Sequence, residues 1–199
     1  MQTCKWPNGL VVFSHGKESG PYGKKINALS FVAEELGYHV LSVDYEGLTD
    51  PDQRVEHLLS ISLPPHDHLI LVGSSMGVYV STIAAERLEP SGLFLLAPAF
   101  YLPGYRCQDP SPGSAKTAVV TGWKDNIVPV KNGIRFAEKF GANLHVFDAD
   151  HRLNTVIPEL CGLFRGLERK PKEKGLSLWE SPFCIWRGWQ DSNPRPLGS

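Results

Sequence analysis

The sequence is short of most features that would mark a specialised class. Its four cysteines, Cys4, Cys107, Cys161 and Cys184, lie far apart and form no CxxC pair. That spacing argues against a zinc site or a disulfide framework and fits a reducing compartment. An excess of one charge is missing too: 20 Lys+Arg against 21 Asp+Glu leave a formal net charge of −1. A chain without a basic face has little electrostatic hold on nucleic acid. No apolar run approaches the roughly 20 residues that span a bilayer. The longest candidate, Gly92 to Tyr105, is broken by Pro98 and Pro103. Ahead of His15 only Leu10 to Phe13 are continuously apolar, too few for a secretory signal. Neither GxxxxGK[ST] nor a helix-opening GxGxxG occurs, which excludes a match to the phosphate-binding glycine loops. What remains is a soluble, cytoplasmic globular protein with no metal, no cofactor, and no nucleic-acid or membrane partner. Nothing in the sequence signals an oligomeric state.

Apolar residues make up 42% of the chain, enough for one closed core at this length. The composition shifts near residue 165. Residues 166–199 hold six Lys+Arg, four Asp+Glu and three of the five tryptophans, among prolines and glycines and without helical or strand period. We therefore divide the chain into a domain over 1–165 and a poorly ordered tail over 166–199. Two readings stay open for the tail. One is an ordinary disordered extension. The other is a non-native read-through, because Asp191-Ser192-Asn193 can be encoded by a sequence resembling the complement of a tRNA T-arm.

Within 1–165, short apolar runs at Leu10–Phe13, His39–Val43, Leu69–Val72, Leu93–Leu96, Ala118–Thr121 and Leu144–Phe147 read as strands. Their continuous apolarity suits parallel strands covered on both faces. Between them lie helical stripes: Ile26 to Leu36 closed by Gly37, a helix opened by Asp50-Pro51, Val80 to Leu88, Val130 to Phe140 stopped by Gly141, and a last helix from near Pro158. Six strands alternating with five helices predict an α/β fold, an open, mostly parallel six-stranded sheet with helices on both faces.

Sites in such sheets sit at the carboxyl ends of the strands. After the third strand, Gly73-Ser74-Ser75-Met76-Gly77 matches G-x-S-x-G between a strand and a helix. A nucleophile on so sharp a turn crowds its neighbours, so Gly73 and Gly77 are the residues that fit. The competing reading is a plain Gly/Ser turn. A serine needs a base and the base an orienting acid, in the chain order Ser, Asp/Glu, His on this fold. Asp125 follows the fifth strand and His151 the sixth. Asp125 could instead cap the next helix, Asp148 and Asp150 are rival acids, and His151 could be an ordinary loop residue. The other histidines fall at helix, pre-strand or strand positions and read as surface or core. Ser14-His15-Gly16-Lys17-Glu18 ends the first strand. There the His15-Gly16 pair allows close backbone approach, and the Lys17 amide pairs naturally with that of Met76 as an oxyanion hole. A glycine-rich turn with a solvated Lys17/Glu18 pair is the alternative. The 20-residue connection Ala97 to Lys116 is too short for a multi-helix lid, and Phe100, Tyr101 and Tyr105 either line a shallow cleft or pack beneath it.

Taken together, SHGKESGP, GSSMG, GWKDNIVP and DADHR resemble the small single-domain bacterial esterases of the α/β-hydrolase superfamily, the YqiA-like branch, over roughly residues 8–165. The resemblance implies a minimal α/β-hydrolase fold without a large lid, lacking the first two strands of a full-length member and with strands one and three adjacent. It implies Ser75 as nucleophile, Asp125 as acid, His151 as base and the Lys17 and Met76 amides as oxyanion hole. The activity it implies is hydrolysis of small carboxylic esters or thioesters through an acyl-enzyme. The alternative, of a different class, is a non-catalytic protein-interaction module on a hydrolase scaffold.

Overall fold

The computed structural model describes residues 8–167. The elements are β1 (Gly9–Ser14), α1 (Lys24–Glu35), β2 (Tyr38–Val43), α2 (Pro51–Ser60), β3 (His68–Ser74), α3 (Met76–Leu88), β4 (Gly92–Leu96), β5 (Lys116–Gly122), α4 (Val130–Phe140), β6 (Asn143–Phe147) and α5 (Ile157–Leu167). One turn of 3-10 helix, Asn154–Val156, leads into α5 and has no counterpart in the sequence-based reading. Of the tail over 166–199, Gly166 and Leu167 are the last residues of α5; the rest, from residue 168 onward, lies outside the described residues, and with it the two readings.

The six strands form one sheet in the order β2-β1-β3-β4-β5-β6, and every pairing is parallel. β1 lies between β2 and β3, in register from Gly9 opposite Tyr38 and His68 to Ser14 opposite Val43 and Gly73. Every residue of β1 is buried, as a central strand covered on both faces requires. Its side chains alternate between two cores. Leu10 and Val12 join Leu58 of α2, Val78 of α3 and Phe136 of α4, whereas Val11 and Phe13 join Leu29 of α1 and Phe164 of α5. Helices therefore cover both faces.

Local chemistry sets the helix ends. Asp50 accepts the amides of Asp52 and Gln53 at 2.9 Å each, and Pro51 opens α2. Gly141 takes a left-handed conformation (φ 63°) at the end of α4. Because all six strands run the same way, the loops after β1, β3, β5 and β6 emerge on one edge of the sheet. No helix among the described residues is long and apolar enough to cross a membrane.

Candidate active site

Ser75 lies between β3 and α3 with φ 55° and ψ −118°, a region a non-glycine residue occupies only under strain. The strained bend puts its hydroxyl at the amino end of a 13-residue helix, where the helix dipole favours negative charge. The bend closes only because its flanks lack side chains. A Cβ on Gly77 would lie 1.9 Å from the carbonyl oxygen of Ser14, and one on Gly73 would lie 2.5 Å from that of Gly77. These obstacles are backbone atoms, so no rotamer change relieves them. Gly77→Ala should therefore destabilise the fold by on the order of 3–5 kcal/mol. A urea-unfolding midpoint equal to wild type would contradict this packing.

His151, after β6, places Nε2 2.9 Å from Ser75 Oγ and Nδ1 2.7 Å from Asp125 Oδ2. The Asp125 side chain is fully buried, and its other oxygen accepts the amides of Ile127 and Val128 at 2.9 and 2.8 Å. Asp125 thus shapes the turn ahead of α4 and also holds the imidazole; the helix itself starts after Pro129. A carboxylate against Nδ1 puts the imidazole proton there and leaves Nε2 free to accept from the Ser75 hydroxyl. The rival acids are engaged elsewhere. Asp148 pairs with Lys124 at 2.7 Å, and Asp150 Oδ1 accepts the amides of Arg152 and Leu153 at 3.0 and 3.1 Å. Among the other histidines, His68 bonds the Tyr38 hydroxyl, His66 the Pro64 carbonyl, and His57 lies edge-on to Tyr45.

Gly122 joins the loops that carry Asp125 and His151, a role the sequence reading missed. A Cβ on it would lie 2.2 Å from the carbonyl oxygen of Ala149. With nothing there, the amides of Trp123 and Lys124 bond the carbonyls of Phe147 and Ala149 at 2.8 and 3.0 Å. Nearby on α1, burial pulls the Lys25 ammonium down to about 8, against the attraction of Asp150 and Asp125.

The loop after β1 runs against Ser75: a Cβ on Gly16 would lie 3.3 Å from Ser75 Cβ. Among the described residues, neither the Lys17 nor the Met76 amide donates to a protein acceptor. The side chains of Lys17 and Glu18 are exposed. His15 is buried, with Nδ1 2.7 Å from the Gly16 carbonyl and Nε2 accepting the Tyr45 amide at 3.2 Å. That pattern requires the neutral ring. Burial pushes its pKa down, and the repulsion of Arg54 adds to this against the pull of the Gly16 carbonyl and of Asp44, 3.9 Å away. Tyr45 backs the loop from below, its hydroxyl 2.8 Å from Ser14 Oγ and pushed up to about 12 by burial.

The connection from β4 to β5 contains no helix, so the site has no lid of that kind. Side-chain bonds pin it to the body. The Tyr79 hydroxyl donates to Asp52 at 2.7 Å and accepts the Cys107 amide at 3.1 Å, while Asn132 donates to the Phe100 carbonyl at 2.7 Å. Of the aromatic residues offered as a cleft wall, Phe100 is wholly buried and stacks on Phe136 at 4.4 Å, which makes it core. Tyr101 lies under the Arg135 guanidinium, and Tyr105 packs edge-on to Tyr79. A shallow depression at the outer edge of β2, between Tyr38–Leu41 and Pro64–Pro65, includes none of the residues around Ser75. Among the described residues, no group of three or more His, Cys, Asp or Glu is placed to hold a metal ion.

No protein-family model matches the sequence, and no curated protein does. Solved structures do. A Xanthomonas campestris protein assigned to the hydrolases of the α/β superfamily is 27% identical, covers 80% of this chain and 97% of its own, and superposes with a TM-score of 0.73. An α/β serine hydrolase without a lid, also from Xanthomonas campestris, is 23% identical over 85% of this chain and 87% of its own, with a TM-score of 0.66. The Pyrococcus furiosus esterase Pf2001 is 20% identical over 80% and 82%, again with a TM-score of 0.66. With its open parallel sheet, its serine on a strand-to-helix bend and these neighbours, the chain belongs to the α/β-hydrolase superfamily, in a small form without a large lid.

Proposed function

We propose that this chain is a serine hydrolase that cleaves small carboxylic esters or thioesters through an acyl-enzyme on Ser75, and that it falls in the YqiA-like branch its motifs resemble. The observation that carries the proposal is the continuous hydrogen-bonded line from Asp125 through His151 to Ser75. The esterase and hydrolase neighbours support the same reaction class.

The geometry lends itself to the following sequence. Ser75 Oγ attacks the substrate carbonyl carbon while His151 Nε2 takes its proton, and the buried Asp125 carboxylate stabilises the imidazolium that forms. The carbonyl oxygen, now anionic, receives the Lys17 and Met76 amides. Collapse breaks the bond to the alcohol or thiol, which leaves with the proton from His151. Water then attacks the acyl carbon with His151 again as base, and the tetrahedral species expels Ser75, whose oxygen takes that proton back from His151 as the carboxylic acid leaves. Gly73, Gly77, His15 and Gly16 hold the two loops that this requires.

With the β4–β5 connection pinned and free of helix, nothing among the described residues encloses a long acyl chain. Turnover of acetyl to butyryl p-nitrophenyl esters should exceed that of chains of ten or more carbons. A kcat/KM profile rising toward long chains would overturn the small-substrate assignment.

A further inference from the structure

Arg54 is the anomaly in this neighbourhood. Its side chain is on the apolar stripe of α2, buried with Pro51, Val55 and Leu58, and the residue is only 3% exposed. Among the described residues no carboxylate pairs with it. Carbonyl oxygens receive it instead. Nε donates to Leu48 at 2.6 Å, and Nη1 donates to His15 at 3.1 Å and more weakly to Gly16 at 3.4 Å. The guanidinium also lies 5.1 Å from the centre of the Tyr45 ring. A cation buried without a counter-ion costs more than an apolar side chain of the same size would. Its polar atoms are spent on the backbone it touches.

That backbone is the loop beside Ser75. In a trans peptide the C=O and the N–H of the same unit point in opposite directions. Holding the His15 and Gly16 carbonyls toward Arg54 therefore turns the Gly16 and Lys17 amides away from it. The Gly16 carbonyl is also bonded by the His15 ring. Donors on a carbonyl polarise the amide at the other end of the same peptide and strengthen it as a donor. We infer that Arg54 is a positioning residue for the oxyanion hole, fixing and polarising the Gly16–Lys17 peptide from the side opposite the substrate. The inference rests on the serine-hydrolase reading. It adds to that reading a residue from α2, outside all four motifs.

The test is steady-state kinetics on p-nitrophenyl acetate with wild type, Arg54→Met, Arg54→Lys and Arg54→Ala, and with folding followed by circular dichroism. Loss of one oxyanion donor costs about 10²–10³-fold in kcat, and loss of its support should cost somewhat less, about 10–100-fold. Arg54→Met should lose that much in kcat with KM changed less than about threefold, since the ground-state ester makes little use of the hole. Arg54→Lys, which keeps the charge without the fork, should fall between Met and wild type. In Arg54→Ala, millimolar guanidinium should raise kcat several-fold, whereas urea, neutral and of similar shape, should not. A folded Arg54→Met with wild-type kcat, a loss confined to KM, or equal rescue by urea would each overturn the role. Should Met and Ala fail to fold, Arg54→Lys decides alone: wild-type kcat counts against the inference, and a kcat-specific loss supports it. A wild-type chain that neither turns over the ester nor reacts with a fluorophosphonate sinks the hydrolase reading and this inference with it. An active wild type beside an equally active Arg54→Met removes only the inference.

Discussion

Ser75→Ala is expected to lower kcat on a good ester substrate by about 10⁵–10⁶-fold, with the chain still folded. The substitution deletes one oxygen, and the side-chain bond lost among the described residues is the one to His151 Nε2. Alanine keeps the same positive φ, so the strain of the bend neither grows nor vanishes, and the unfolding free energy should change by less than about 1 kcal/mol. The background left would come from substrate binding and the two amides, worth about 10³–10⁴ over water in serine proteases with the same three groups. The measurement is kcat, the maximal rate divided by enzyme concentration, with each variant prepared separately to exclude carry-over of active protein. A loss smaller than about tenfold would mean that another group does the chemistry.

Asp125→Asn should cost about 10⁴-fold in kcat, the size of effect seen when a triad carboxylate becomes an amide in a serine protease. Here the direction of the amide is set by the fold. Oδ1 accepts two backbone amides, from Ile127 and Val128, and an NH₂ group cannot take its place. The asparagine must keep its carbonyl oxygen there and turn its NH₂ toward His151 Nδ1. That contact forces the ring proton onto Nε2, where it opposes rather than accepts the Ser75 proton. KM should change little. A kcat within about tenfold of wild type would place the orienting acid elsewhere, and Asp150 would be the next residue to replace.

Much of this arrangement was legible because the residues that matter occupy positions where their types are otherwise costly or rare. Two glycines flanking a serine across a strand-to-helix junction have a steric reason, and the contacts of Gly73 and Gly77 supply it. The adjacency of β1 and β3 was legible only through the family resemblance, since six apolar runs do not say which are neighbours, and the rest of the strand order was not legible at all. Gly122 stayed hidden because its partner, the Ala149 carbonyl, is distant in sequence and a backbone atom leaves no side-chain signature. Arg54 carried a readable signal. Pro51, Arg54, Val55 and Leu58 share one helical face, and an arginine on an apolar stripe marks a buried charge in need of a reason. The aromatic run at Phe100 could be read as cleft or core until packing placed Phe100 against Phe136.

The most direct measurement is the mass of the intact protein after exposure to a fluorophosphonate, followed by peptide mapping. These reagents phosphonylate a serine, with loss of fluoride, only where a base has activated it and amides receive the phosphoryl oxygen as charge builds on it. One adduct per chain, mapped to Ser75 and missing in Ser75→Ala, is the expected result. A folded wild-type chain that stays unlabelled, or carries the adduct on a different serine, would contradict a nucleophile at the end of β3.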